Sequence, residues 1–383
     1  MPRLNYLLLL GVLGLACKSG IEPSPPPVPP PPPPNHPPVA VVGGPYSSDS
    51  GSVSFDGSQS SDPDDDAITF AWDFGDGATG SGRTPSHTYA LDGDYNVSLV
   101  VKDSKNLSST PAATTANIAR AYTFVGAGNI ASGSNNDERT AALLDGIPGS
   151  VFTTGDNAFP DGTDSAYATY YANTWGRFLS RTRPVLGNHD YYDSDAKGSF
   201  DFFGDRLGTR GLGYYSYDLG SWHIIVLNDK GGTGIDATQT QWLMADLAAH
   251  TSQRCTIAMW HVPLFTSSNT PGWTVNPDHK PIWDVLYSAG VDIVLNGQQH
   301  NYERFTPMNP NGDLDPDNGI RQFNVGTGGE STDNFTVAIH PHSEVRGTVF
   351  GVLKLTLKAG RYDWAFVPIA GDSFSDSGSG SCH

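Results

Sequence analysis

The stretch RPVLGNHD, residues 183–190, decides how the rest of the chain is read. A short apolar run stops at Gly187, and Asn188, His189 and Asp190, which can bind ions or move protons, follow at once. Runs of this length read as buried strands, because a helix needs about ten residues or more. The same arrangement recurs along the chain. YTFVG at 122–126 precedes Gly128-Asn129-Ile130, and SVFTTG at 150–155 leads into Asp156-Asn157-Ala158-Phe159. TIAMW at 256–260 precedes His261, and VDIVL at 291–295 precedes NGQQHNYER at 296–304. Neighbouring strands that each deliver a polar residue from their ends form a rigid frame for ions at fixed spacing. Asp137–Leu144 and Thr238–His250 read as helices between strands, with Trp242, Leu243 and Leu247 on one core-packing face. The expected fold class is therefore α/β.

At 383 residues the chain is long for one domain and comfortable for two. Its net charge of −18 excludes nucleic acid and anionic membrane surfaces as partners. An anionic substrate would need bound cations to supply a positive field locally.

Arg3 and the apolar run from Tyr6 to Leu15 read as an export signal, too short to span a bilayer. Ala16-Cys17 then resembles a bacterial lipoprotein cleavage site, where the cysteine is lipidated, although Gly14 stands where a branched apolar residue is usual. The alternative is ordinary cleavage with Cys17 discarded. Residues 1–17 are thus read as signal, and 18–38 as a proline-rich linker containing the unbroken run Pro29–Pro34. Such a linker is a semi-rigid spacer, or else a ligand for a proline-binding domain. The expected location is outside a bacterial cytoplasm, lipid-anchored to the envelope or secreted. The remaining cysteines, Cys255 and Cys382, read as a disulfide in an oxidising compartment, the alternative being two buried thiols.

Residues 39–118 show short alternating apolar stretches, Val53–Phe55, Ile68–Trp72 and Tyr95–Val101, broken by Gly, Asp and Ser clusters. Trp72-Asp73-Phe74-Gly75-Asp76-Gly77, with His87-Thr88-Tyr89 and Gly93-Asp94-Tyr95, resembles a PKD (polycystic kidney disease) domain. That resemblance implies an all-β immunoglobulin-like sandwich acting as an extracellular spacer or contact to a cell surface or matrix. The acidic run Asp62–Asp66 reads as a calcium site or as a solvated turn.

Residues 119–383 resemble the calcineurin-like metallophosphoesterases, in the branch of purple acid phosphatases and secreted bacterial alkaline phosphatases. The resemblance implies a four-layer α/β/β/α sandwich and hydrolysis of phosphoric esters by a hydroxide on a pair of divalent ions. It makes Asp156 the carboxylate bridging both metals and Asn188, His261 and His300 further ligands. His189 becomes the group that protonates the leaving oxygen. The fit has gaps. Asn129 stands where the family has an aspartate, Gln298 where it has a histidine, and Val262 where many relatives have a second histidine. Phe159 replaces the usual tyrosine, which excludes an iron–tyrosinate bond and leaves zinc, manganese or calcium. Asn129 and Gln298 remain weak oxygen ligands. Gly326-Thr327-Gly328-Gly329 reads as a substrate-facing loop or a plain turn. Two functions stay open: an exported metal-dependent phosphatase acting on a small phosphate ester, or an inactive member kept for adhesion.

Overall fold

Alternation along the buried strands builds the larger domain. Ile224 and Val226, Ile257 and Met259, and Ile293 and Leu295 join one core cluster, while Ile225, Ala258 and Val294 join another on the opposite face. Side chains of a strand point alternately to either side, so this sheet is covered on both faces. That explains why the runs read as continuous apolar segments.

The computed structural model describes residues 29–251, 255–268, 277–335 and 338–383. The export signal, Cys17 and the first part of the proline-rich linker lie outside the described residues. A seven-stranded sheet runs, edge to edge, through Tyr215–Leu219, Trp222–Val226, Cys255–Met259, Ile293–Asn296, Arg321–Val325, Tyr302–Phe305 and Ser343–Gly347. Its strands from Trp222–Val226 through Arg321–Val325 are parallel. Facing it is a six-stranded sheet of Thr182–Arg183, Ser150–Thr153, Tyr122–Ala127, Gly351–Lys358, Arg361–Pro368 and Ser377–Ser381. Phe124, Val352 and Leu355 from this sheet pack with Ile224, Ile257 and Phe323 of the other in one cluster.

Helices close the outer faces. Asn135–Gly146, capped by Ser134, brings Ala141 and Leu144 to the first cluster. Ala237–Ala249, capped by Asp236, and Lys280–Ser288 bring Leu243, Ile282, Trp283 and Leu286 to the second. The layers run helix, sheet, sheet, helix.

One expected strand is much shorter than its sequence suggested. Of RPVLG only Arg183 pairs, in the two-residue strand Thr182–Arg183. Beyond it, Pro184 has no N–H, and side chains take over the backbone groups. The Val185 N–H donates to Thr153 Oγ1 (3.1 Å), and the Val185 carbonyl accepts from Asn157 Nδ2 (2.8 Å).

The smaller domain has a five-stranded sheet, in the order Tyr46–Ser48, Ala112–Ile118, Gly93–Asp103, Ile68–Asp73 and Thr79–Ser81, and a separate antiparallel pair Ser52–Ser54 with Ser86–Thr88. Trp72, Phe74, Tyr89 and Leu99 fill its core. Its contacts begin before residue 39. Asn35 donates to Asp103 (2.7 Å) and the His36 N–H to Asp64 (2.6 Å). In the acidic run, Asp62 Oδ1 accepts from the Asp64 and Asp66 N–H groups, and Lys105 pairs with Asp66 at 2.9 Å.

Cys255 and Cys382 form a disulfide that ties the tail to the start of a central strand. The His383 N–H donates to Asp292 beside it (3.0 Å). Among the described residues no helix is long and apolar enough to cross a membrane.

Candidate metal centre

Parallel strands bring their carboxyl ends to one edge, where open α/β sheets bind ligands. Asn129 follows Tyr122–Ala127, Asp156 follows Ser150–Thr153, His261 follows Cys255–Met259 and Gln298 follows Ile293–Asn296. Asn129, Asp156 and Gln298 hold φ of 56°, 52° and 61°. Left-handed backbone costs a non-glycine residue roughly 1–2 kcal/mol. Such turns cluster where function over-determines the backbone, and here three coincide with three candidate ligands.

Two glycines allow the close approach. A Cβ on Gly187 would lie 2.3 Å from Asp156 Oδ1, and one on Gly155 would lie 2.4 Å from His261 Nδ1. Neither site has room for a side chain.

The centre itself is a tripod of Asp156, Asn188 and His261, all buried. His261 Nε2 stands 3.2 Å from Asp156 Oδ2 and 3.1 Å from Asn188 Oδ1. Asn188 Nδ2 faces the Tyr192 hydroxyl (3.4 Å), so Oδ1 is the atom it presents. His261 Nδ1 lies 2.6 Å from the Thr154 carbonyl, which can only accept, so Nδ1 carries a proton. In the neutral ring Nε2 is then a lone pair facing two oxygens. Three acceptors so placed repel one another unless a cation sits among them. In the metal-free protein that cation is a proton. Burial alone would push the His261 pKa down, but the Asp156 carboxylate outweighs it and lifts the value to about 9. Burial would raise the Asp156 pKa, and the His261 charge holds it below the usual carboxylate range instead.

Other oxygens nearby are also unpaired. Asn129 Oδ1 and Gln298 Oε1 are shielded from solvent and accept no hydrogen bond. Asn129 Nδ2 donates to the Gln298 carbonyl (3.2 Å), which fixes the orientation of its amide. Buried acceptors without donors are rare, and such a donor set fits an oxygen-preferring divalent cation with one imidazole ligand.

His189 and Asp190 divide two tasks. The His189 N–H donates to Asp156 Oδ1 (2.8 Å), and its Nδ1 donates to the Pro160 carbonyl (2.6 Å), leaving Nε2 for the cavity. Asp190, to which sequence reading gave no role, holds the turn. Its carboxylate accepts from the Gly187 N–H (2.9 Å), Asn157 Nδ2 (3.0 Å) and the hydroxyls of Tyr167 (2.8 Å) and Ser199 (3.1 Å). Burial, helped by the Asp156 charge, raises the Asp190 pKa.

His300 is placed differently from the tripod. Its Nδ1 faces Ser331 Oγ (2.6 Å) and Glu330 Oε2 (3.0 Å), and its ring lines the cavity with Asp156, His189 and Gln298. Among the described residues, groups of three His, Cys, Asp or Glu with donor atoms within 4.8 Å lie elsewhere, so Asp156 and His261 are completed by an amide. Phe159 packs on His189 at 4.3 Å between ring centroids and offers no donor. Gly326–Gly329 packs inward, since Gly328 O accepts from the Thr140 hydroxyl and a Cβ on Gly329 would meet Asp137 at 2.5 Å. The residues just after it, Glu330 and Ser331, line the cavity. Sequence reading missed them, although a carboxylate directly after a strand-end glycine turn was the available signal.

Comparison with known proteins agrees with this architecture. The family model for calcineurin-like phosphoesterases matches residues 126–302, and that for PKD domains matches residues 35–118. Purple acid phosphatase 18 of Arabidopsis thaliana is 29% identical over 191 residues, which is 43% of this chain and 42% of the plant protein. The chain spans about half the length, or less, of the curated relatives it matches first. A microbial collagenase of Vibrio alginolyticus is 42% identical over 59 residues, 15% of this chain and 7% of that protein. The solved structure of a purple acid phosphatase from yellow lupin (Lupinus luteus) seeds superposes with a TM-score of 0.56 at 16% identity, covering 91% of this chain and 74% of that one. The chain therefore joins a PKD domain to a domain of the calcineurin-like phosphoesterase family.

Proposed function

We propose that the larger domain hydrolyses phosphoric esters with the help of divalent cations held at Asp156. The observation that carries this reading is the set Asp156 Oδ2, Asn188 Oδ1 and His261 Nε2, which face one another and, with the imidazole neutral, are three acceptors that need a cation between them. Asp156, Asn188 and His261 would hold one ion. Asp156, Asn129 and His300 would hold a second more weakly, while Gln298 would add an oxygen to the first. Bound divalent ions would polarise the phosphoryl group and make water a nucleophile near neutral pH. The donors are mostly oxygens, which favours manganese over zinc and leaves calcium admissible.

The chain's own residues do the rest. The Pro160 carbonyl holds the Nδ1 proton of His189, so the second proton of the imidazolium, on Nε2, faces the cavity. That proton passes to the departing alkoxide oxygen. Export, with Cys17 lipidated or removed, and a PKD module that meets a cell surface or matrix complete the proposal.

A second reading is favoured by one observation. Asn129 and Gln298 are neutral, and the tripod has a single carboxylate–histidine pair. Such a domain could keep the fold for adhesion alone. Metal analysis of protein purified without chelator, with turnover of p-nitrophenyl phosphate and its bis-ester in added Mn²⁺ or Zn²⁺, separates the two. About two ions per chain with turnover supports the hydrolase. Empty protein without turnover supports the adhesion reading.

A further inference from the structure

The cavity carries a carboxylate that the tripod does not use. Glu330 follows the glycine turn, and its N–H donates to the Asn129 carbonyl at 3.1 Å. It is thereby tied to the residue that stands where relatives have an aspartate. Its Oε2 lies 3.0 Å from His300 Nδ1, and the Ser331 hydroxyl, itself 2.6 Å from that nitrogen, donates to the same carboxylate. The His300 side chain is 14% exposed and that of Glu330 26%, so water competes little for these bonds.

Chemistry fixes the direction of the relay. Ser331 Oγ gives its proton to Glu330, so it can only accept from His300. Nδ1 is then the protonated nitrogen, and Nε2 keeps its lone pair on the other side of the ring. A carboxylate behind a histidine in this way sets the tautomer, fixes the ring and raises its basicity toward a metal.

We propose that Glu330, acting through Ser331 and Nδ1, is the positioning residue that makes His300 a cation ligand. It returns near the weaker ion's position the negative charge that Asn129 lacks. The charge has moved from a ligand to the group behind a ligand. This inference rests on the metal reading above and makes a narrower claim.

The test is titration of metal-free full-length protein with Mn²⁺ by calorimetry, without substrate, on wild type, Glu330→Gln and Glu330→Gln with Asn129→Asp. Glutamine keeps the shape and loses the charge. The expected result is two ions in wild type, the weaker of them bound about 10–100-fold less tightly in Glu330→Gln. The tighter ion should be unchanged, and the added aspartate should recover the weaker one. Unchanged affinity of both ions in Glu330→Gln overturns this inference and leaves the metal reading standing. A wild type that binds one ion also overturns it, whereas a wild type that binds none overturns both. Should Glu330→Gln fail to fold, Glu330→Ala removes the same charge from His300 Nδ1, and unchanged affinity in that variant is equally fatal.

Discussion

His261 Nε2 and Asp156 Oδ2 face each other at 3.2 Å inside the protein, and the other nitrogen of the same ring is bonded to the Thr154 carbonyl at 2.6 Å. The pair has room for one positive charge, either a proton or a metal. Removing the carboxylate should therefore abolish the site. Asp156→Asn is expected to lower affinity for the tighter Mn²⁺ at least about 100-fold, and to erase the rise in melting temperature that Mn²⁺ gives wild type. Thermal melts with EDTA and with excess Mn²⁺ measure it. A variant that still gains wild-type protection from Mn²⁺ would place the ion elsewhere.

Restoring the family residues tests the weaker half of the centre. Asn129→Asp with Gln298→His puts a charge and an imidazole where Asn129 Oδ1 and Gln298 Oε1 now stand unpaired. Both backbones are left-handed, a region that Asp and His tolerate better than most residues. The double variant should bind its second ion about 10-fold or more tightly than wild type and turn over p-nitrophenyl phosphate faster. No gain in metal content would show that these side chains do not face the ions.

Much of this was legible in the residues. Runs that ended in polar clusters gave the buried strands at Tyr122–Ala127, Ser150–Thr153, Cys255–Met259 and Ile293–Asn296, because burial on both faces forces an unbroken apolar stretch. The run before Asn188 misled, because Val185 meets side chains and not a strand. His300 and Glu330 are 30 positions apart, and only the paired strands Tyr302–Phe305 and Arg321–Val325 bring them together. Periodicity carries no record of such a meeting. The task of Asp190 was hidden for the same reason, since Tyr167 and Ser199 reach it from distant segments.

The disulfide should matter for stability and not for the metal. Cys255 begins the strand whose far end leads to His261, and its partner Cys382 lies 127 residues away. Closing a loop of that length stabilises the fold by roughly 3–5 kcal/mol on the chain-entropy view. Cys255→Ser with Cys382→Ser should lower unfolding free energy by about that amount in urea. Mn²⁺ stoichiometry should stay as in wild type. Loss of metal along with stability would mean that strain at the strand start reaches the site.

His223 gives the larger domain a pH-dependent element away from the cavity. Its side chain is 1% exposed, and its two nitrogens meet Asp218 and Asp246, each at 2.8 Å. Burial alone would lower its pKa, but hydrogen bonds to Asp246 and Asp218 outweigh this and raise it. A histidine raised above its unfolded value of about 6.5 stabilises the fold fully below that pH, and the gain fades as pH climbs through the raised value. His223→Gln should therefore cost about 2 kcal/mol at pH 6, the scale of hydrogen bonds to charged groups. The deficit should shrink between pH 6 and pH 9, as the wild-type imidazolium is lost with rising pH. Urea unfolding of both proteins at the two pH values decides it, and a deficit independent of pH would mean that His223 is held neutral between its carboxylates.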